Sequence, residues 1–135
     1  MIWPDLDAAP RYRPCDLTRR DIPREPGVYA WYRRGRAVYV GKADDLQERI
    51  WARHLGESRT LGTSALRRNV AESLGFGASA EIKNGRVRLT PAQLAQVRAW
   101  ICGCRVTWLV LPSAADAIAA EMELKAERMP RLTKR

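Results

Sequence analysis

The sequence predicts an α/β domain: a small antiparallel sheet of about three strands, flanked by helices. Three observations predict it. Residues 27–41 hold two short runs of β-favouring side chains on either side of Arg34-Gly35. Residues 105–111, Arg-Val-Thr-Trp-Leu-Val-Leu, form a third such run. The stretches between and after these runs carry helix-capping residues followed by apolar positions three and four apart.

The chain has 135 residues, which predicts one domain. Its 46% hydrophobic content supports a packed core and argues against global disorder. Lys and Arg number 24 against 15 Asp and Glu, a net charge of +9 that favours a polyanionic partner, nucleic acid first. The basic residues are spread along the chain. No run is long enough to span a membrane, and no N-terminal apolar segment resembles a signal peptide, so a cytoplasmic setting is expected. The three cysteines, Cys15, Cys102 and Cys104, are expected to be reduced there and to act as small buried hydrophobes. Together with His54 they would supply four zinc ligands, but the spacing is not that of a zinc knuckle.

Residues 1–26 read as an irregular, basic, Pro/Arg-rich arm, with Trp3 and Tyr12 available to pin it to a domain spanning 27–135. The hairpin follows, with strands at 27–33 and 37–41. Alternation puts Tyr29 and Trp31 on one face of the first strand and Val28, Ala30 and Tyr32 on the other. Asp44 or Asp45 caps a helix running to about His54. Thr63-Ser64 begins a second helix, about 64–74, whose Arg67-Arg68 pair is expected to be exposed. Residues 80–89 read as a hairpin around Asn84-Gly85. Thr90-Pro91 opens a helix over 91–102 with Leu94, Val97 and Ile101 on its inner stripe. The strand at 105–111 is expected to be the most buried. Ser113 caps a last helix, 114–129, closed by Pro130.

The residues that carry chemistry lie at the hairpin and near the C-terminus. Gly27-Val28-Tyr29, nine intervening residues, then Tyr39-Val40-Gly41-Lys42 resembles the signature of the GIY-YIG nuclease family, with valine in both isoleucine positions. Ala43-Asp44-Asp45-Leu46-Gln47-Glu48-Arg49 resembles the family segment in which a helix brings an arginine to the site. Glu121-Met122-Glu123-Leu124, with Pro130 nine residues after Glu121, resembles the family's metal-binding segment. The resemblance covers residues 27–133. It implies a GIY-YIG endonuclease-like fold in which residues of about 60–100 are an insertion. It also implies a metal-dependent endonuclease that hydrolyses DNA with one Mg2+ or Mn2+ ion held by Glu121.

The same resemblance assigns roles to individual residues. Tyr29 and Tyr39 touch the attacking water or the phosphate, and Arg49 stabilises the pentacovalent transition state. The chemistry is consistent with those residue types. A carboxylate is a hard oxygen ligand suited to magnesium or manganese. A guanidinium fits phosphate oxygens in a bidentate manner. A free phenol has a pKa of about 10, so a general-base role needs that value lowered, which Lys42 or a metal would do. The ordinary readings are an ion pair of Glu121 with Lys125 on a solvated face, and a pair of Arg49 with Asp45. Glu121 is flanked one turn away by Ile118 and Leu124, which places it at the border of an apolar stripe.

Two positions depart from the family pattern. The histidine expected one turn after the arginine is Arg53, and His54 lies one step further, about 100° around a regular helix. It reaches the site if the helix tightens or ends there. An asparagine expected three residues after the proline is Thr133, which keeps a weaker tether. Arg34, Arg53, Arg67 and Arg68 are the candidate nucleic-acid contacts. The alternatives are a catalytically weakened nucleic-acid-binding module of the same fold and an RNA-cleaving relative. The biological role, DNA repair or restriction, is open, as is a monomer or a homodimer; restriction would more readily use a homodimer.

Overall fold

The computed structural model describes residues 2–56 and 61–134; residue 60, the expected start of the insertion, lies outside them. Strands β1 (Gly27–Arg33) and β2 (Arg36–Ala43) form the expected antiparallel hairpin, with Gly27 opposite Ala43 and Arg33 opposite Arg36. Arg34 and Gly35 alone turn the chain, both with positive φ, as a two-residue hairpin turn requires. The register slips by one between Trp31 and Tyr32, because Trp31 faces Tyr39 while Tyr32 faces Ala37. Val38 is the extra residue. The bulge lets the neighbours Val38 and Tyr39 join one core cluster, which strict alternation would forbid.

Strand β3 (Arg105–Val110) pairs antiparallel with β1, giving the order β2-β1-β3. This corrects the expectation that 105–111 is the most buried strand. The central strand is β1, buried at every position but its last; β3 is an edge strand and Val110 is exposed. A continuous apolar run fits an edge strand here because the arm covers it. Tyr12 bridges Val106, and its ring stacks on Trp108 at 4.7 Å.

Helices cover both faces, as expected. On one face, a wide helix at Gln47–His54, α2 (Ala65–Ser73) and α4 (Pro91–Cys102) pack around Tyr29, Trp31 and Tyr39. On the other, α1 (Trp3–Ala8) and α5 (Ala114–Glu127) pack on Val28, Ala30, Tyr32 and Val40. Thr90 and Ser113 cap α4 and α5 through hydrogen bonds accepted from Gln93 and Asp116. Helix α1 was not expected in an irregular arm. Its proline sits in the first turn, where no intrahelical N–H is needed. Trp3 and Leu6 are buried, and Trp3 Nε1 donates to the Leu124 carbonyl at 2.8 Å.

The hairpin expected at 80–89 is instead a short helix, α3 (Ser79–Lys83). Asn84-Gly85 ends that helix: Gly85 takes a φ of +84° and donates to the Ile82 carbonyl, a left-handed stop that competes with the hairpin turn for the same dipeptide. The expectation of reduced cysteines is corrected as well. Cys15 and Cys102 form a disulfide that ties the arm to the end of α4, and Cys104 is the buried free thiol. Two of the four candidate zinc ligands are thereby used. Among the described residues no helix is long and apolar enough to cross a membrane.

The C-terminal segment closes the outer edge of β2. Leu132 donates its N–H to the Val38 carbonyl at 2.9 Å, and the Val40 N–H donates to Thr133 Oγ1 at 2.9 Å. Asn69 Nδ2 holds the Leu132 carbonyl at 2.8 Å. The Thr133 tether therefore exists, with its hydroxyl as the acceptor.

Candidate active site

The helix that follows β2 decides where Arg49 and His54 go. It is a π-helix: Leu55 donates to Ile50, five residues back. In such a helix the positions that stack are five apart, where in an α-helix they are four apart. The Glu48–Arg53 ion pair follows this spacing, at 2.8 Å. So does the pair Arg49 and His54. The extra residue is absorbed by widening the helix, and His54 stands where position 53 of a regular helix would stand. The expected route, a helix that tightens or ends, is corrected to one that widens.

His54 is 2% exposed and links two elements. Its Nε2 lies 2.6 Å from the Tyr29 hydroxyl, and its Nδ1 lies 2.7 Å from Ser64 Oγ. Ser64 also accepts the Arg67 N–H as the N-cap of α2. A neutral imidazole has one donor and one acceptor nitrogen. Either Tyr29 donates to Nε2 while Nδ1–H donates to Ser64, or Ser64 donates to Nδ1 while Nε2–H donates to Tyr29. Burial holds His54 neutral, with its pKa pushed down to about 3, and the cations of Arg49, Arg53, Arg67 and Arg68 add to the effect. Thr63-Ser64 is legible as a helix start; the bond of Ser64 to His54 is not, because nothing in the spacing between residues 54 and 64 reports a contact.

Tyr29 and Tyr39 come together as the hairpin predicts, with ring centroids 6.3 Å apart. Tyr29 lies across Gly41. A Cβ there would sit 2.7 Å from its Cζ, so the glycine after Tyr39-Val40 is a seat for the other tyrosine's ring. Burial pushes Tyr29 well above its ordinary value and Tyr39 upward also, with the Glu121 charge acting in the same direction on both. Both phenols are O–H donors near neutral pH.

Arg49 does not pair with Asp45. The Asp45 side chain caps Glu48 and faces Arg24 at 3.5 Å. Arg49 Nη1 donates to the Lys42 carbonyl at 3.2 Å, and its Nε is buried without a hydrogen-bond partner among the described residues. A buried guanidinium N–H without a partner costs free energy until an acceptor arrives. Lys42 thus serves Arg49 through its carbonyl. Alternation along β2 sends its side chain to the face opposite Gly41 and Tyr29.

Glu121 does pair with Lys125, at 3.4 Å, yet its side chain is only 16% exposed and its field reaches both tyrosines. The flanking stripe is corrected: Ile118 is exposed, and Ala117, Ala120 and Leu124 form the buried side. Among the described residues no three His, Cys, Asp or Glu side chains cluster as a metal site. A one-carboxylate site asks only for a hard oxygen donor close to where phosphate would lie, and Glu121, whose charge acts on both phenols, is the residue that would supply it.

The nucleic-acid candidates separate. Arg34 is exposed at the hairpin turn. Arg53 is held by Glu48. The expectation that Arg67 and Arg68 are exposed is corrected, since they are 5% and 8% exposed. Arg68 Nη1 donates to the Leu61 and Gly62 carbonyls at 2.9 and 2.7 Å, so it fixes the loop before α2.

No family model matches the chain, and no curated protein sequence does. Among solved structures, the chain is similar to the GIY-YIG N-terminal endonuclease domain of UvrC from Thermotoga maritima bound to magnesium. The identity is 19% over 82% of this chain and 85% of that one, with a TM-score of 0.43. Two point mutants of that domain, bound to the catalytic divalent cation, match over 87% of this chain and 96% of theirs, at 19% and 18% identity and TM-scores of 0.47. At this identity and degree of superposition the likeness assigns no role to any residue.

Proposed function

We propose that this chain is a divalent-metal-dependent endonuclease that hydrolyses DNA phosphodiester bonds. One observation carries the reading: the buried chain Tyr29–His54–Ser64 lies beside Arg49, whose Nε has no hydrogen-bond partner among the described residues, and within the field of Glu121. Proton acceptor, cationic donor and hard oxygen ligand are the three elements a phosphodiester hydrolase needs. Glu121 would hold magnesium or manganese, which would supply charge relief on the phosphate and the leaving oxygen. The chain's own residues do the rest. Arg49 Nε–H donates to a phosphoryl oxygen. Tyr29 passes its proton to neutral His54 Nε2 as it takes one from the attacking water, whose oxygen bonds to phosphorus while the phosphorus–leaving-oxygen bond breaks. Solvent protonates the departing oxygen. Tyr39 supplies a second O–H donor to the same phosphate.

The test is cleavage of duplex, single-stranded, flapped and branched DNA and of RNA with magnesium or manganese. Glu121→Ala and Arg49→Ala are each expected to lose about 100-fold or more; full activity in both sinks the assignment. One observation favours a second reading, a weakened nucleic-acid-binding module: an imidazole with a pKa near 3 is a reluctant base. That reading expects binding without products from the wild type at high enzyme excess. RNA cleavage by the wild type alone would correct the substrate and leave the site in place.

A further inference from the structure

A second cationic feature lies at the other end of the hairpin. A groove of about 620 Å³ runs between the β1–β2 turn and residues 128–131. Arg33, Arg34, Arg36, Arg128 and Arg131 line it, and no acidic side chain does. Two of the five are fixed. Arg33 Nη1 donates to the Trp100 carbonyl at 3.1 Å, with its guanidinium 4.5 Å from the centre of that indole. Arg128 is held by Asp7 at 2.8 Å over the Trp3 ring. Arg34, Arg36 and Arg131 are exposed, and none has a carboxylate partner among the described residues. Three unneutralised cations around a concave surface raise the local potential for an anion.

The groove and the candidate site share one hairpin. Tyr39 and Arg36 are three residues apart on β2, but the bulge at Val38 sets them opposite Trp31 and Arg33, two residues apart on β1, roughly 7 Å. The groove therefore begins about two base-pair rises of 3.4 Å from Tyr39.

We infer that this groove is a backbone-binding site for nucleic acid, engaging phosphates about two nucleotides from the one presented to Tyr39 and Arg49. The inference rests on the nuclease reading for its alignment with the site. Recognition there is of phosphate: arginine forks pair with phosphate oxygens in a bidentate manner and read no sequence. Binding is therefore salt-dependent, with the logarithm of affinity falling by about 0.9 per phosphate contact for each logarithm of salt on duplex DNA.

The experiment measures affinity against salt for fluorescent duplex DNA, single-stranded DNA and RNA, using Glu121→Ala protein so that cleavage does not interfere. The triple variant Arg34→Gln, Arg36→Gln, Arg131→Gln is compared with Arg13→Gln, Arg20→Gln, Arg86→Gln, which removes equal charge elsewhere on the surface. The groove variant is expected to lower the salt slope by roughly 2 to 3 on duplex DNA, while the control leaves it near the parent value. An unchanged slope in the groove variant, or an equal loss in the control, overturns the inference. So does binding to phosphatidylserine vesicles with none to nucleic acid. Because the readout is binding, a wild type that cuts nothing leaves this inference standing, and a flat slope leaves the nuclease reading standing.

Discussion

The two ends of one hairpin do opposite things with the same kinds of residue. At the glycine end, Tyr29, His54 and Arg49 are buried or half-buried, and burial decides which atoms carry protons. At the turn end, Arg34, Arg36 and Arg131 stand in solvent, and only their charge and spacing matter. Low dielectric makes the first end sensitive to pH and to single hydrogen bonds. Screening makes the second sensitive to salt. Charge in this chain is thus sorted by depth, and the two ends should fail in different assays.

The largest expected effect is at the buried end. His54→Gln keeps a polar side chain but removes the proton acceptor, and cleavage is expected to drop by about 100-fold or more in single-turnover assays. Its salt slope for DNA binding should stay that of the parent. Cleavage equal to wild type would break the comparison, because depth would then have no chemical role.

Next in size is a pH effect on folding. His54 is neutral in the folded protein down to about pH 3, whereas in the unfolded chain it takes a proton below its ordinary value of 6.5. Between these values the unfolded state binds the extra proton, so stability falls as pH falls, by at most about 1.4 kcal/mol per pH unit. Above pH 6.5 the effect vanishes. Asp7 and Glu72, whose folded pKa values are also lowered, act only at lower pH, which leaves the window from 6.5 to 5 to His54. Thermal unfolding followed across that window should show a falling Tm in wild type and a flatter line in His54→Gln. Equal slopes would mean that the imidazole is not held neutral by burial.

The smallest effect sharpens the assignment of Ser64. Ser64→Ala removes a helix cap, worth about 1 kcal/mol, and frees the His54 tautomer. Thr at the same position keeps the hydroxyl. Ser64→Ala should lower cleavage less than His54→Gln and displace its acid limb, and Ser64→Thr should restore both. A loss of stability with an unmoved pH profile would make Ser64 a cap and nothing more.

Much of this was legible from local rules. The hairpin, its turn, the caps at Ser64, Thr90 and Ser113, and the meeting of Tyr29 with Tyr39 all follow from spacing and residue type. What stayed hidden was decided by contacts that residue type and spacing do not report. Arg67-Arg68 looks like any solvated pair until loop carbonyls at Leu61 and Gly62 arrive to bind one of them. Asn84-Gly85 serves a helix stop as well as a hairpin turn, and only the packing of Ile82 selects the helix. Cys15 and Cys102 are 87 residues apart, and the fold alone brings their Cα atoms to 5.4 Å.

The π-helix changes how this chain should be lined up with others. Counted along the sequence, the column that would hold a histidine holds Arg53, and His54 falls beside it. Counted along the helix, His54 is in phase with Arg49, and Arg53 turns away to Glu48. A one-residue gap between positions 49 and 54 is therefore the physically correct alignment. A comparison that seeks a histidine one turn after Arg49 would record none by residue counting, although His54 is in phase with Arg49.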